Sequence, residues 1–212
     1  MVLWLLGLAA EILTLMVLTG KIYTGDKQMM FMIIGIVVDA VAVIAGSQLW
    51  KHANRLDPAS EANKVKFFLW NNLGLIAAIV CFIPMLILIF TNKDLDKKTK
   101  TIASVVAVVA CLIAGVSSYD FNPVSQEDLA QAQQTAAQTT GGTVYWTTFG
   151  EKYHLDPNCS TIMNSATVYS GTVDEAFEAN RTELCKVCEA KADVADDTAE
   201  ADTDASSVAA AA

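Results

Sequence analysis

The stretch MMFMIIGIVVDAVAVIAGSQLW, residues 29–50, sets the fold class. It holds one charged residue, Asp39, and its Ile, Val and Met side chains recur on every side of a helix rather than along one stripe. A surface helix shows one apolar face; a segment apolar all round is buried or spans a membrane. Crossing a ~30 Å hydrocarbon core takes roughly 20 helical residues. Three further apolar runs occur, at 2–19, 67–91 and 101–118. Backbone groups in lipid must be satisfied within the segment, so each run is expected as a helix. The expectation is an α-helical membrane protein with four transmembrane helices over 1–118.

Charge divides the chain at the same place. Residues 1–118 carry ten Lys and Arg against seven Asp and Glu, whereas 119–212 carry four against sixteen. Such an acidic half is a poor surface for nucleic acid. The first run has no positive leader and no clear small-residue cleavage site after it, so it reads as a retained span rather than a signal peptide. With four spans, the loops at 20–28 and 92–100 share one side and hold six lysines, while the 51–66 loop opposite holds Lys51, Arg55, Lys64 and Lys66. The positive-inside rule then places both termini outside. Trp4, Trp50, Trp70 and Tyr119 fall at one interface.

Two acids interrupt these runs near their middles, Glu11 and Asp39. In an antiparallel hairpin they lie at similar depths. A carboxylate there is costly unless protonated or paired, and no Lys or Arg lies within a span. They could form a proton- or cation-coupled site, joined by Asn71 or Asn72, or stay protonated and hydrogen-bond neighbouring helices.

Residues 119–142 form a polar linker. Ser125 and Asp128 suit a helix start, Gly141-Gly142 a stop, and a short solvated helix or a loose stalk fits the Gln, Ala and Thr between. The end, 191–212, is acidic, of low complexity and expected to be disordered. Between them, 143–190 reads as a small α+β domain. Residues 144–148 and 152–155 make a hairpin about Gly150, a β-like stretch covers 166–170, and Thr172 to Glu175 is a capping box that opens a helix. Within it stands His154-x4-Cys159-x25-Cys185-x2-Cys188. A Cys-x2-Cys knuckle lets two thiolates grip one ion, and a distant His/Cys pair completes a tetrahedron. Three sulfurs and one imidazole suit Zn²⁺ in a closed structural site. A segment this short also gains from a metal staple. The competing readings are a Cys185–Cys188 disulfide, which leaves Cys159 without a partner in the tail, and an ordinary surface role for His154. Cys81 and Cys111 sit in apolar runs and read as small apolar residues; His52 reads as a loop or interface residue.

VYWT-x2-G-x-KYH-x-D-x2-C, then GTV-x-EA and CKVC, resembles a small zinc module at the C-terminus of many bacterial secreted and membrane proteins. It is similar in outline to the metal-binding domain of the Ada DNA-repair protein. The resemblance covers about 143–190 and implies that His154, Cys159, Cys185 and Cys188 are the ligands. The chain departs from the pattern at NRTELC, where the module commonly has a Gly-aromatic-x-Pro-Cys approach.

Four protein ligands leave no open position for hydrolysis, and the acidic charge argues against Ada-like work on DNA. The expectation is a non-enzymatic bacterial membrane protein that displays a structural-zinc module outside the cytoplasm for an unknown protein or surface partner. The alternatives are a small proton- or cation-coupled transporter or channel using Glu11 and Asp39, and an accessory protein in DNA handling.

Overall fold

The computed structural model describes residues 1–192, so the expected disordered tail lies outside the described residues but for its first two positions. The chain divides into two compact units. One comprises Met1–Asn54 and Glu61–Pro123; the other joins Arg55–Ser60 to the chain from Val124 onward.

The first unit is helical. It holds α1 (Val2–Leu18), a single 3₁₀ turn (Gly25–Lys27), all but the last two residues of α2 (Gln28–Leu56), α3 (Lys64–Asn71), α4 (Leu73–Thr91) and α5 (Lys97–Ser118). Three helices, α2 with its preceding turn, α4 and α5, are long and apolar enough to cross a membrane. Expected as a fourth span, α1 has 17 residues. At ~1.5 Å per residue it reaches about 26 Å, short of the hydrocarbon thickness. The run expected as one helix over 67–91 is broken at Asn72, whose backbone leaves helical geometry (φ −104°, ψ 18°). The cause is local. Asn71 and Asn72 each donate a side-chain NH₂ to the carbonyl four residues back, Phe67 at 3.0 Å and Phe68 at 2.9 Å. Asn competes in this way with regular backbone bonding. His52, read as a loop or interface residue, sits exposed within α2.

Large apolar side chains meet inside: Met32 and Ile36 from α2, and Phe82, Met85 and Ile89 from α4 are fully buried. α5 contributes Ala103, Ala107 and Ala114 to this core. Small residues of this kind let helices approach closely where lipid offers no hydrophobic drive for association. Leu5, Leu6, Ile12, Val41, Ile87, Leu112 and Val116 are exposed, the outward apolar surface that a membrane would cover.

Helix ends find partners at both edges of the unit. Gln28 and Asn92 donate to the Val17 and Leu18 carbonyls at the end of α1, at 3.2 and 3.1 Å. Lys51 donates to the carbonyls of Ser117 and Tyr119 at 2.8 and 2.7 Å, placing a cation at the negative end of α5. Trp4, Trp50 and Trp70 gather, with ring centroids 5.7 and 5.1 Å apart in succession, and Tyr119 packs edge-on against Phe121 at 4.8 Å.

The second unit begins with α6 (Gln126–Thr140). Ser125 and Asp128 form both bonds of a capping box, and Gly141 ends the helix in the left-handed region (φ 67°). Ala132 and Ala136 are buried in the core of this unit, with Leu129 packed against it. The helix is therefore not fully solvated: a stripe of alanines needs little depth to pack. The strands are β1 (Val144–Thr147), β2 (Lys152–Tyr153), β3 (Val168–Gly171) and β4 (Glu183–Leu184), with α7 (Val173–Glu178) between the last two. The expected hairpin survives as one antiparallel bridge, Tyr145–His154, with its two bonds at 2.8 and 2.7 Å. β1 instead pairs along its length with β3, antiparallel, and β2 pairs with β4, parallel. Tyr153, His154 and Leu155 are consecutive and all buried. A strand that buries successive residues breaks the two-residue alternation that a regular hairpin requires.

Candidate metal centre

His154, Cys159, Cys185 and Cys188 converge. One ligand atom from each lies within 4.8 Å of the others, and all four residues are buried. In a tetrahedral zinc site, sulfurs at ~2.3 Å from the ion are about 3.8 Å apart, so the set is spaced for one ion after a small inward adjustment. All five cysteines of the chain are unbridged.

Local structure explains each placement. His154 is held by its paired backbone bonds to Tyr145, and its Nδ1 faces the cluster, 3.9 Å from the Cys188 sulfur. Cys159 follows Pro157 in a turn closed by its N–H on the Asp156 carbonyl. Its own carbonyl receives the N–H groups of Ile162 and Met163. Buried Ile162 anchors that turn in the core. The Cys185 N–H donates to the Tyr153 carbonyl at 2.9 Å, extending the β2–β4 pairing directly to the ligand. A short helix over 186–192 then carries Cys188.

The approach to Cys185 is set by the end of α7. α7 ends as Arg181 N–H bonds back to the Ala176 carbonyl, and Asn180 takes the left-handed conformation (φ 64°) in place of glycine. The Arg181 guanidinium donates to the carbonyls of Thr147, Thr148 and Ala179. One arginine thus ties the β1 turn to the end of α7. Nothing in its sequence context marks it for this work.

Burial and dipoles set the character of the ligands. Burial holds the His154 imidazole below its usual pKa, which favours the neutral, ligating form. Burial also pushes the Cys188 thiol up to about 11, although the N–H groups of Leu155 and Asp156 face its sulfur and oppose that rise. At Cys185 burial raises, but the Thr161 hydroxyl, the N–H groups of Val187 and Cys188 and the Cys159 side chain together outweigh it and hold the thiol below its usual value. These N–H groups facing sulfur are the arrangement expected of a Cys-x2-Cys knuckle. An ion bound here would release thiol protons. The buried Phe177 and Tyr153 rings, 6.2 Å apart, support the site from the core.

The two acids of the apolar helices are also buried, Glu11 at 3% exposure and Asp39 at 0%. Side chains of α1 meet α2 in antiparallel order: Trp4 lies beside Gly46, Gly7 beside Asp39 and Thr14 beside Gly35. Glu11 stands close enough to Asp39 for their charges to interact. Neither Asp39 oxygen has a hydrogen-bond partner, and the Cys81 thiol stands close enough to interact with its charge. Among the described residues, neither acid takes part in an ion pair. Asn71 does not join them but accepts from Asn54 at 3.3 Å. Cys81 and Cys111 stand apart from the four-residue cluster.

No protein-family model, curated protein or solved structure matches this chain.

Proposed function

We propose that this is a non-enzymatic bacterial membrane protein that displays a zinc-stabilised module for a protein or surface partner outside the cytoplasm. The carrying observation is the convergence of four buried ligand atoms within 4.8 Å. Three sulfurs and one imidazole are a donor set that favours Zn²⁺ in a closed site with no position left for substrate. The residues therefore fit the ion and argue for a structural role. His154, Cys159, Cys185 and Cys188 would hold it, and it would supply folding free energy to a unit with a small core.

Four spans remain the preferred arrangement. Although α1 is short, its side chains meet α2 from Trp4 at one end to Thr14 near the other, so a bilayer that covers α2 covers α1 as well. A short span is accommodated by local thinning at modest cost. An even number of spans puts both termini on one side, and the lysine distribution makes that side the outside. Metal analysis of the purified full chain under reducing conditions tests the module: about one zinc per chain is expected, and none sinks the reading. Impermeant labelling of a cysteine introduced into the 119–123 segment tests sidedness in intact cells.

A second reading has its own support. Asp39 is fully buried with both oxygens unpartnered and Glu11 beside it. This suits a proton- or cation-coupled transport site. Glu11→Gln with Asp39→Asn should then abolish ion flux in vesicles; flux equal to that of the parent, or none in the parent, removes it. Nucleic acid is disfavoured as a partner by the acidic second half.

A further inference from the structure

Thr161 belongs to no motif, yet its hydroxyl oxygen lies 3.2 Å from the Cys159 sulfur, 3.4 Å from His154 Nδ1 and 3.6 Å from the Cys185 sulfur. It therefore covers the face of the ligand set bounded by those three atoms. The turn that begins at Cys159 puts it there: Ile162 is pulled into the core, and Thr161, one residue earlier, stays exposed. Its hydroxyl thus stands between solvent and three of the four ligands.

We propose that Thr161 is a positioning residue of the metal centre, donating its hydroxyl hydrogen to the Cys159 thiolate and shielding the exposed face of the site. The inference rests on the metal reading above. The direction of the bond follows from the chemistry. A ligating thiolate carries no proton but keeps lone pairs, so the hydroxyl donates to sulfur; a ligating imidazole nitrogen has its lone pair on the ion and accepts nothing. One hydroxyl hydrogen points best at one acceptor; Cys159 is the nearer sulfur at 3.2 Å, and the Cys185 sulfur at 3.6 Å is the second acceptor within its reach. A hydrogen bond to a metal-bound thiolate withdraws charge from sulfur, fixes its orientation and lowers its reactivity. Partners of this outer kind commonly change metal affinity about 10- to 100-fold when removed.

Two variants separate the hydroxyl from the bulk of the side chain. Thr161→Val keeps the shape and removes the donor; Thr161→Ser keeps the donor and removes the methyl. The full chain in detergent micelles is loaded with zinc, and its affinity is measured by chelator competition. It is then loaded with cobalt(II), and the thiolate-to-cobalt charge-transfer band is recorded. The expected result is about ten-fold weaker zinc retention in Thr161→Val. Its charge-transfer band should move to longer wavelength, because an unbonded thiolate gives up an electron more easily. Thr161→Ser should behave as the parent. Thr161→Val matching the parent in both readouts, or Thr161→Ser losing as much as Thr161→Val, overturns the assignment while leaving the metal centre standing. A parent chain that holds neither metal removes the metal centre itself, and this assignment with it.

Discussion

The two units bury polar side chains in opposite ways. In the second, His154 and three cysteines point at one another, with backbone N–H groups and a hydroxyl arranged round them. In the first, Asp39 is fully buried with both oxygens unpartnered, and the Trp4 indole N–H is likewise buried without a partner. Burial is equally complete in both, so it does not mark a site. Convergence does. The ligands of the second unit come from three separated stretches, a β-bridge, a turn and a helical knuckle, and no packing need of the core would bring four such groups together. The acids of the first unit sit on two adjacent helices, where antiparallel packing alone puts them level.

Metal removal gives the largest expected separation between the units. Structural zinc contributes on the order of 10 kcal/mol to small domains. Chelation, or Cys188→Ser, should therefore expose the amides of 143–192 to hydrogen exchange and leave the α2, α4 and α5 peptides protected. Equal exposure in both units would break the contrast.

A smaller effect is expected from Phe177→Ala. This ring is 1% exposed and packs on Tyr153, and its truncation should cost roughly 3–5 kcal/mol. The loss should appear as a lower denaturant midpoint for the second unit alone, and as faster loss of zinc to a chelator.

The first unit is tested by Gly35→Val. A Cβ at Gly35 would overlap the Thr14 hydroxyl, and overpacking of this kind costs about 1–3 kcal/mol. Helicity followed on heating in detergent should fall at a lower temperature, with zinc content unchanged. A coupled loss of zinc would show that the two units do not fold independently.

The smallest change is Ser125→Ala. It removes one bond of the capping box, Asp128 N–H to Ser125 Oγ at 3.0 Å, and should cost about 1 kcal/mol. Faster exchange confined to the first turn of α6 is the expected signature.

Much of this was legible in the residues. All-round apolarity in 29–50 predicts a helix that water does not surround, because no stripe of polar groups is available to face it. The helix start at Ser125 and the capping box at Thr172 are readable, because their bonds close within four residues. The ligand spacing was readable as well, since Cys-x2-Cys restricts two sulfurs to one neighbourhood. Three features were not. The Asn72 break depends on side chains winning carbonyls from the backbone, and an apolar run does not show it. The strand pairing of β1 with β3 depends on where the chain returns after the Cys159 turn. The Arg181 guanidinium reaches a carbonyl 34 positions away, and the Thr161 hydroxyl lies 3.6 Å from a sulfur 24 positions on. Local composition sets which segments become helices, strands and turns, because those energies are settled among near neighbours. Only the tertiary structure decided which buried groups meet, because that is a matter of three-dimensional packing between residues distant in the chain.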